Sequence, residues 1–201
     1  MEKNELMMTN PLISLGLIKD KVSTIFMLNE DITSLTMPIL ENENYSFEEN
    51  WLGRKIESSN DKNKQQEQII GHFRSTPYFD ETIIDTRTMI MIETYINKMS
   101  NSIIDYTLTV NVVSHKDGIE IPKSDMKIWN SKGYYGNRVD MICMAIYKAL
   151  TDLSIANRFG IGKIELNPYV NQMQSFKPNN DFYGRTLSFR IDEIKSNLGD
   201  K

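Results

Sequence analysis

Residues 103 to 114 constrain this chain most. Tyr106, Leu108, Val110 and Val112 alternate there with Thr107, Thr109 and Asn111. A period of two with β-branched residues specifies a strand that is buried on one face. Residues 82 to 96 read as a strand as well, but with apolar groups on both faces: Thr88, Ile90 and Ile92 on one, Met89 and Met91 beside Glu93 on the other. That pattern suits a central strand covered on both sides. Only residues 97 to 102 separate the two, too few for a crossover, so an antiparallel pair is expected. After it comes a helical stripe of Val139, Ile142, Cys143, Ile146, Leu150 and Leu153, with Asn137 placed to cap it and Asp140 in its first turn. Gly160 and Gly162 stop the helix and open a strand over residues 163 to 169. A turn at 176–181 precedes a final strand, in which Leu187, Phe189 and Ile191 face inward and Thr186, Ser188 and Arg190 outward.

The order β-β-α-β-β predicts an α+β fold. It is a mainly antiparallel β-sheet of about four strands, with a helix packed across one face and N-terminal helices in front. Ile18, Val22, Ile25 and Phe26 share one side of a helix from Pro11 to Leu28. Asn29-Glu30-Asp31 caps a second, short helix through Leu35, which Pro38 ends. One domain over 1–201 suits this length. Residues 1–10 read as a flexible arm, 41–75 as a long irregular segment and 82–195 as the core. Tyr45, Phe47, Trp51 and Leu52 punctuate the irregular segment, either pinning it to the body or packing on a neighbour. His115 to Gly136 reads as a polar loop carrying Trp129, Tyr134 and Tyr135. Those aromatics either fold onto the chain's own body or meet a neighbouring subunit, and the second is the expectation.

Chemistry is sparse. Of two histidines, His72 and His115, neither has cysteine or carboxylate partners at zinc-ligand spacing, so no metal site is expected. The single cysteine, Cys143, lies in the helical core stripe and cannot form an internal disulfide, which fits synthesis in a reducing compartment. Gly160-Ile161-Gly162-Lys163 follows a helix and precedes a strand, the reverse of a dinucleotide fingerprint. Asp85, Glu93, Asp105, Glu165 and Lys163 are the most enzyme-like scatter. A metal nuclease would need such carboxylates at strand ends about a divalent ion. They read equally as outward charges that discourage edge pairing. The formal charge of −4 argues against a general nucleic-acid binder. No apolar run is long enough to span a bilayer and no signal peptide is read, so no membrane partner is expected. Arg138, Arg185 and Arg190 read as ion-pair partners for another subunit.

Four segments carry a resemblance. They are Val112-Val113-Ser114-His115-Lys116-Asp117, the helix from Asn137-Arg138-Val139-Asp140 to Leu150, Gly160-Ile161-Gly162-Lys163-Ile164-Glu165-Leu166, and Phe182-Tyr183-Gly184-Arg185-Thr186-Leu187-Ser188-Phe189. Together they resemble tailed-bacteriophage neck proteins, most of all the tail terminator or tail-completion family. Leu28-Asn29-Glu30-Asp31-Ile32-Thr33-Ser34-Leu35 resembles the opening of some proteins from phages of low-GC Gram-positive hosts. The resemblance covers about half the chain, and the 41–75 segment departs from the family pattern. It implies a ring, usually a hexamer, that caps the tail tube and joins it to the head connector, without cofactor or catalysis.

The expectation is therefore a virion structural protein of the neck, made in the host cytoplasm and carried in the particle. Its partners are further copies of itself, the tail tube protein, the head-tail connector or other neck proteins, and the sheath protein if the tail is contractile. DNA passes through the lumen without specific binding. Phe47, Trp51, Trp129, Tyr134, Tyr135, Arg138, Arg185 and Arg190 are the expected contact residues. The alternatives are a metal-dependent nuclease, or a head-completion or adaptor protein of the same region.

Overall fold

A computed structural model describes residues 11–37, 46–55, 68–75, 87–99, 103–168 and 174–194. The arm at 1–10, Pro38, Tyr45, Asp85 and much of the 41–75 segment lie outside them. Helix α1 (Pro11–Leu28) and helix α2 (Glu30–Thr36) come first. Then follow helix α3 (Phe47–Leu52), a hairpin-like pair β1 (Gly53–Lys55) and β2 (Gln68–Ile70), and β3 (Phe73–Arg74). The long strands β4 (Thr88–Met99) and β5 (Ile103–His115) come next, then helices α4 (Lys123–Ser131), α5 (Arg138–Thr151) and α6 (Leu153–Phe159). Strands β6 (Lys163–Leu166), β7 (Gln174–Phe176) and β8 (Phe182–Ile194) complete the described chain.

β5 is the spine of the sheet. It pairs antiparallel with β4, from Thr88 opposite Ser114 to Met99 opposite Ile104, and with β8, from His115 opposite Phe182 to Ile103 opposite Ile194. A bulge interrupts the first pairing between Ile96 and Lys98. β6 and β7 add to the far side of β8, and the short β3 adds parallel to β4. The sheet thus has six strands among the described residues, rather than about four. The two short additions, β3 and β7, are too brief to leave a periodic signature. The α+β architecture stands, as a mixed sheet with helices packed against it.

Alternation decides the faces. Ile90, Ile92, Tyr106, Leu108, Val110, Val112, Leu187, Phe189 and Ile191 line the face that α1, α2 and α5 cover, in one core with Trp51 and Phe73. Helix α5 lies over β5, β6 and β8, while α1 lies over β4. The other face carries a smaller apolar patch of Met89, Met91, Val113 and Phe182, with Phe176 against it. The two-faced apolar pattern of β4 is explained by that patch. Beyond it this face is polar: Thr186 Oγ1 donates to Asn111 Oδ1 (2.7 Å) and Asn97 Nδ2 to Thr107 Oγ1 (2.5 Å).

Three readings need correction. The irregular 41–75 segment holds a helix, α3, fixed by a capping box in which the Ser46 hydroxyl accepts from Glu49 N–H and the Glu49 carboxylate accepts from Ser46 N–H. The 115–136 loop holds a helix as well, α4, which has no side-chain cap to announce it. Leu153 is exposed and not part of the α5 stripe. Helix α5 ends at Thr151 because the Asp152 carboxylate turns to accept from Ser154 N–H and starts α6. Gly160 closes α6 in the left-handed conformation, φ 59°, as expected of a helix stop.

Candidate functional site

The densest polar constellation ties α2 to the segment between α4 and α5. Asp31, in the first turn of α2, accepts from Lys132 Nζ (2.6 Å) and from the Tyr134 hydroxyl (2.8 Å). The Lys148 ammonium lies 3.9 Å from the Tyr134 ring centroid, and Lys132 lies 4.9 Å from that of Trp129. Tyr134 and Trp129 meet edge to face, 5.9 Å between centroids. Burial pushes the Asp31 carboxyl up. The hydrogen bonds from Lys132 and Tyr134 and the two ammonium charges outweigh burial and hold it below its ordinary value of 3.8. Burial and then Asp31 push the Tyr134 hydroxyl up.

This knot has a pH signature. A carboxyl whose pKa is depressed by folding stabilises the folded state above its ordinary pKa, and the contribution is lost as pH falls through the folded value. Asp31→Asn is expected to cost about 1.5–3 kcal/mol at pH 7, the range for hydrogen bonds to a charged group. It is also expected to flatten the decline of Tm between about pH 5 and pH 2. Thermal melts of both proteins across that range check this. An unchanged acid limb in the variant would mean that Asp31 does not carry the linkage. Asp152 and Asp181 are also held below their ordinary value, by hydrogen bonds with Ser154 and Lys116.

Arg138 ties the end of α2 and the turn after β5 to α5. Its Nε donates to Gly118 O (2.6 Å) and its Nη1 to Leu35 O (2.9 Å). Burial lowers its pKa, and Asp125 opposes that. Arg185 pairs with Asp140, which also accepts from Asn137 N–H in the capping box of α5. Arg190 Nε lies 3.3 Å from Asp105. All three arginines expected at a subunit contact thus have partners in their own chain.

The aromatics divide. Trp51 is wholly buried, stacked between Phe47 and Phe73. Tyr134 is buried and Trp129 half-buried against the chain's own body. Phe47, 40 % exposed, and Tyr135, 60 % exposed, remain at the surface. Ile128, 58 % exposed, joins them and was not singled out in the sequence. It rims a groove of about 240 Å³ between α2, α4 and the start of α5, floored by Leu35, Ile121 and Trp129. A larger groove of about 510 Å³ runs between α1 and α3.

Among the described residues the enzyme-like scatter does not converge. Lys163 pairs with Glu165 at the sheet edge, and Asp105 is occupied by Arg190. No group of three or more His, Cys, Asp or Glu among the described residues is arranged to hold a metal ion. His115 sits at the end of β5, edge to face with Phe182 and accepting from Asp117 N–H. Cys143 is buried in α5. Burial first, then Asp140, push its thiol up to about 12 against the opposing charge of Arg185, so it is inert. No described helix is long and apolar enough to cross a membrane.

The YomW family model matches residues 29–191, which takes in α2 and every element after it through most of β8. The chain belongs to the YomW family. This is a phage-derived family, of the SPbeta-like prophage kind, so the chain is a phage-associated protein. Among curated proteins none matches it.

Proposed function

We propose that this YomW-family chain is a virion structural protein of the phage neck, a tail terminator that forms a ring on the end of the tail tube and joins it to the head connector. The observation that carries the reading is the two-sided sheet in a phage-derived family. One face is covered by helices, while the other, beyond the Met89 patch, is mostly polar and carries the Thr186–Asn111 and Asn97–Thr107 hydrogen bonds within the chain. Such a plate repeats well around a closed ring, where each subunit presents two different surfaces to its neighbours. With a net charge of −4, copies around a lumen would repel phosphates, letting DNA pass without sticking. Further partners in this reading are the tail tube protein, the connector, and the sheath protein of a contractile tail. The site of action is the virion, reached after assembly in the host cytoplasm.

Electron microscopy of the purified protein, alone and mixed with tail tubes, tests this. Closed rings, and rings seated on tube ends, are expected. A protein that stays monomeric and leaves tube ends bare would overturn the reading.

A further inference from the structure

Two exposed apolar patches, on different elements, carry opposite charge. The first is on α3. There Phe47 and Leu52 are 40 % and 45 % exposed around Glu48, which makes no ion pair among the described residues. The second is the 240 Å³ groove rimmed by Ile128 and floored by Trp129, Leu35 and Ile121. Arg138 lines it, and Lys123 and Lys127 on the same helix as Ile128 are exposed without an ion pair among the described residues. Asp125 offsets this cationic character only in part. The two patches share no residue. A ring requires that condition, because a head-to-tail contact joins two different surfaces of identical subunits.

We propose that the Phe47–Glu48–Leu52 knob on α3 of one copy seats in the Ile128–Trp129 groove of the next, with Glu48 facing Lys123 and Lys127. This deepens the ring reading and rests on it. The occupant is a second copy of this chain, because the knob offers an apolar side chain to the groove's apolar floor and an anion to the lysines beside it. A cavity of about 150 Å³ can hold a benzene ring, so a groove of about 240 Å³ has room for the ring of Phe47. The Phe47 ring is held ready by stacking on the buried Trp51, with centroids 6.3 Å apart and planes 10° from parallel. Pre-ordering of this kind lowers the entropy lost on docking.

Sedimentation velocity on the full chain tests the pairing. Ile128→Glu should keep the parent's melting temperature, and Phe47→Glu should stay folded with a melting temperature lowered only by the lost stacking on Trp51. Each should weaken self-association by on the order of tenfold or more, a loss usual for a buried contact residue. Mixing the two variants is the decisive arm. Each keeps one intact surface, so the mixture should form a one-to-one dimer and stop there. A Glu48→Lys chain should lose assembly and regain it with Lys127→Glu in the same chain. If the parent assembles and both single variants assemble equally well, the pairing is overturned while the ring stands. If the parent itself stays monomeric at every concentration, ring and pairing fall together.

Discussion

Ile146→Asp is expected to unfold the chain. Ile146 is fully buried at the middle of α5, where that helix lies over the sheet. The substitution removes a large aliphatic group from the core and places a carboxylate there without a partner. The first loss costs about 2–5 kcal/mol. Burying an unpaired polar group adds at least about 1–3 kcal/mol. Domains of this size are stable by only about 5–15 kcal/mol, so the sum consumes most of it. Far-ultraviolet circular dichroism and a thermal melt check the outcome. The neighbouring Tyr147→Asp, on the exposed side of the same turn, should melt close to the parent. A near-parental melt of Ile146→Asp would mean that α5 does not pack on the sheet as described.

Gly184→Val is expected to be the next most damaging change, although Gly184 lies in a strand where sequence alone would favour valine. A Cβ there would stand 2.7 Å from Cζ of Phe176 and 2.9 Å from the backbone oxygen of Val112. The Phe176 ring packs on the bare backbone of β8 as part of the patch with Met89 and Phe182. The ring can swing away, but the Val112 carbonyl belongs to β5, the spine of the sheet, and cannot. Overpacking of this kind costs about 1–3 kcal/mol, occasionally more. Chemical denaturation should show a lower midpoint for Gly184→Val, and Phe176→Ala in the same chain should recover part of the loss. An unchanged midpoint would mean that β7 does not close over β8.

The core was legible because its signals are local and redundant. The alternation of Tyr106 to Val112, the stripe from Val139 to Leu150 and the Asn137–Asp140 pair each specify one state, and each formed. What failed to show was short or long-range. Helix α3 spans only six residues, and its Ser46–Glu49 capping box is hard to tell from the polar residues around it. Helix α4 leans on Trp129 and Met126 without burying a residue fully, and it is short and has no side-chain cap to mark its start. Strand β3 is two residues long and joins by a parallel pairing that periodicity does not encode.

The candidate surfaces were legible by residue type more than by role. Phe47 and Tyr135 stay at the surface. Arg138, Arg185 and Arg190 were expected to reach outward, yet each meets a partner far away in its own chain, Leu35, Asp140 and Asp105. The Asp31–Tyr134 hydrogen bond joins positions 103 residues apart, and nothing local marks it. Asp31 advertises itself only as an acid at a helix start. Ile128 carries no signal of its own beside Met126 and Trp129, and only the fold leaves it uncovered at the rim of a groove.

The central claim is a place in the particle, and labelling tests it most directly. Purified virions of the parent phage, treated with gold-conjugated antibody against this chain after the heads are detached, should carry label at the head-proximal end of the tail. Tails made without the chain should fail to join heads. Absence of the chain from purified virions, or label elsewhere on the particle, would contradict the account.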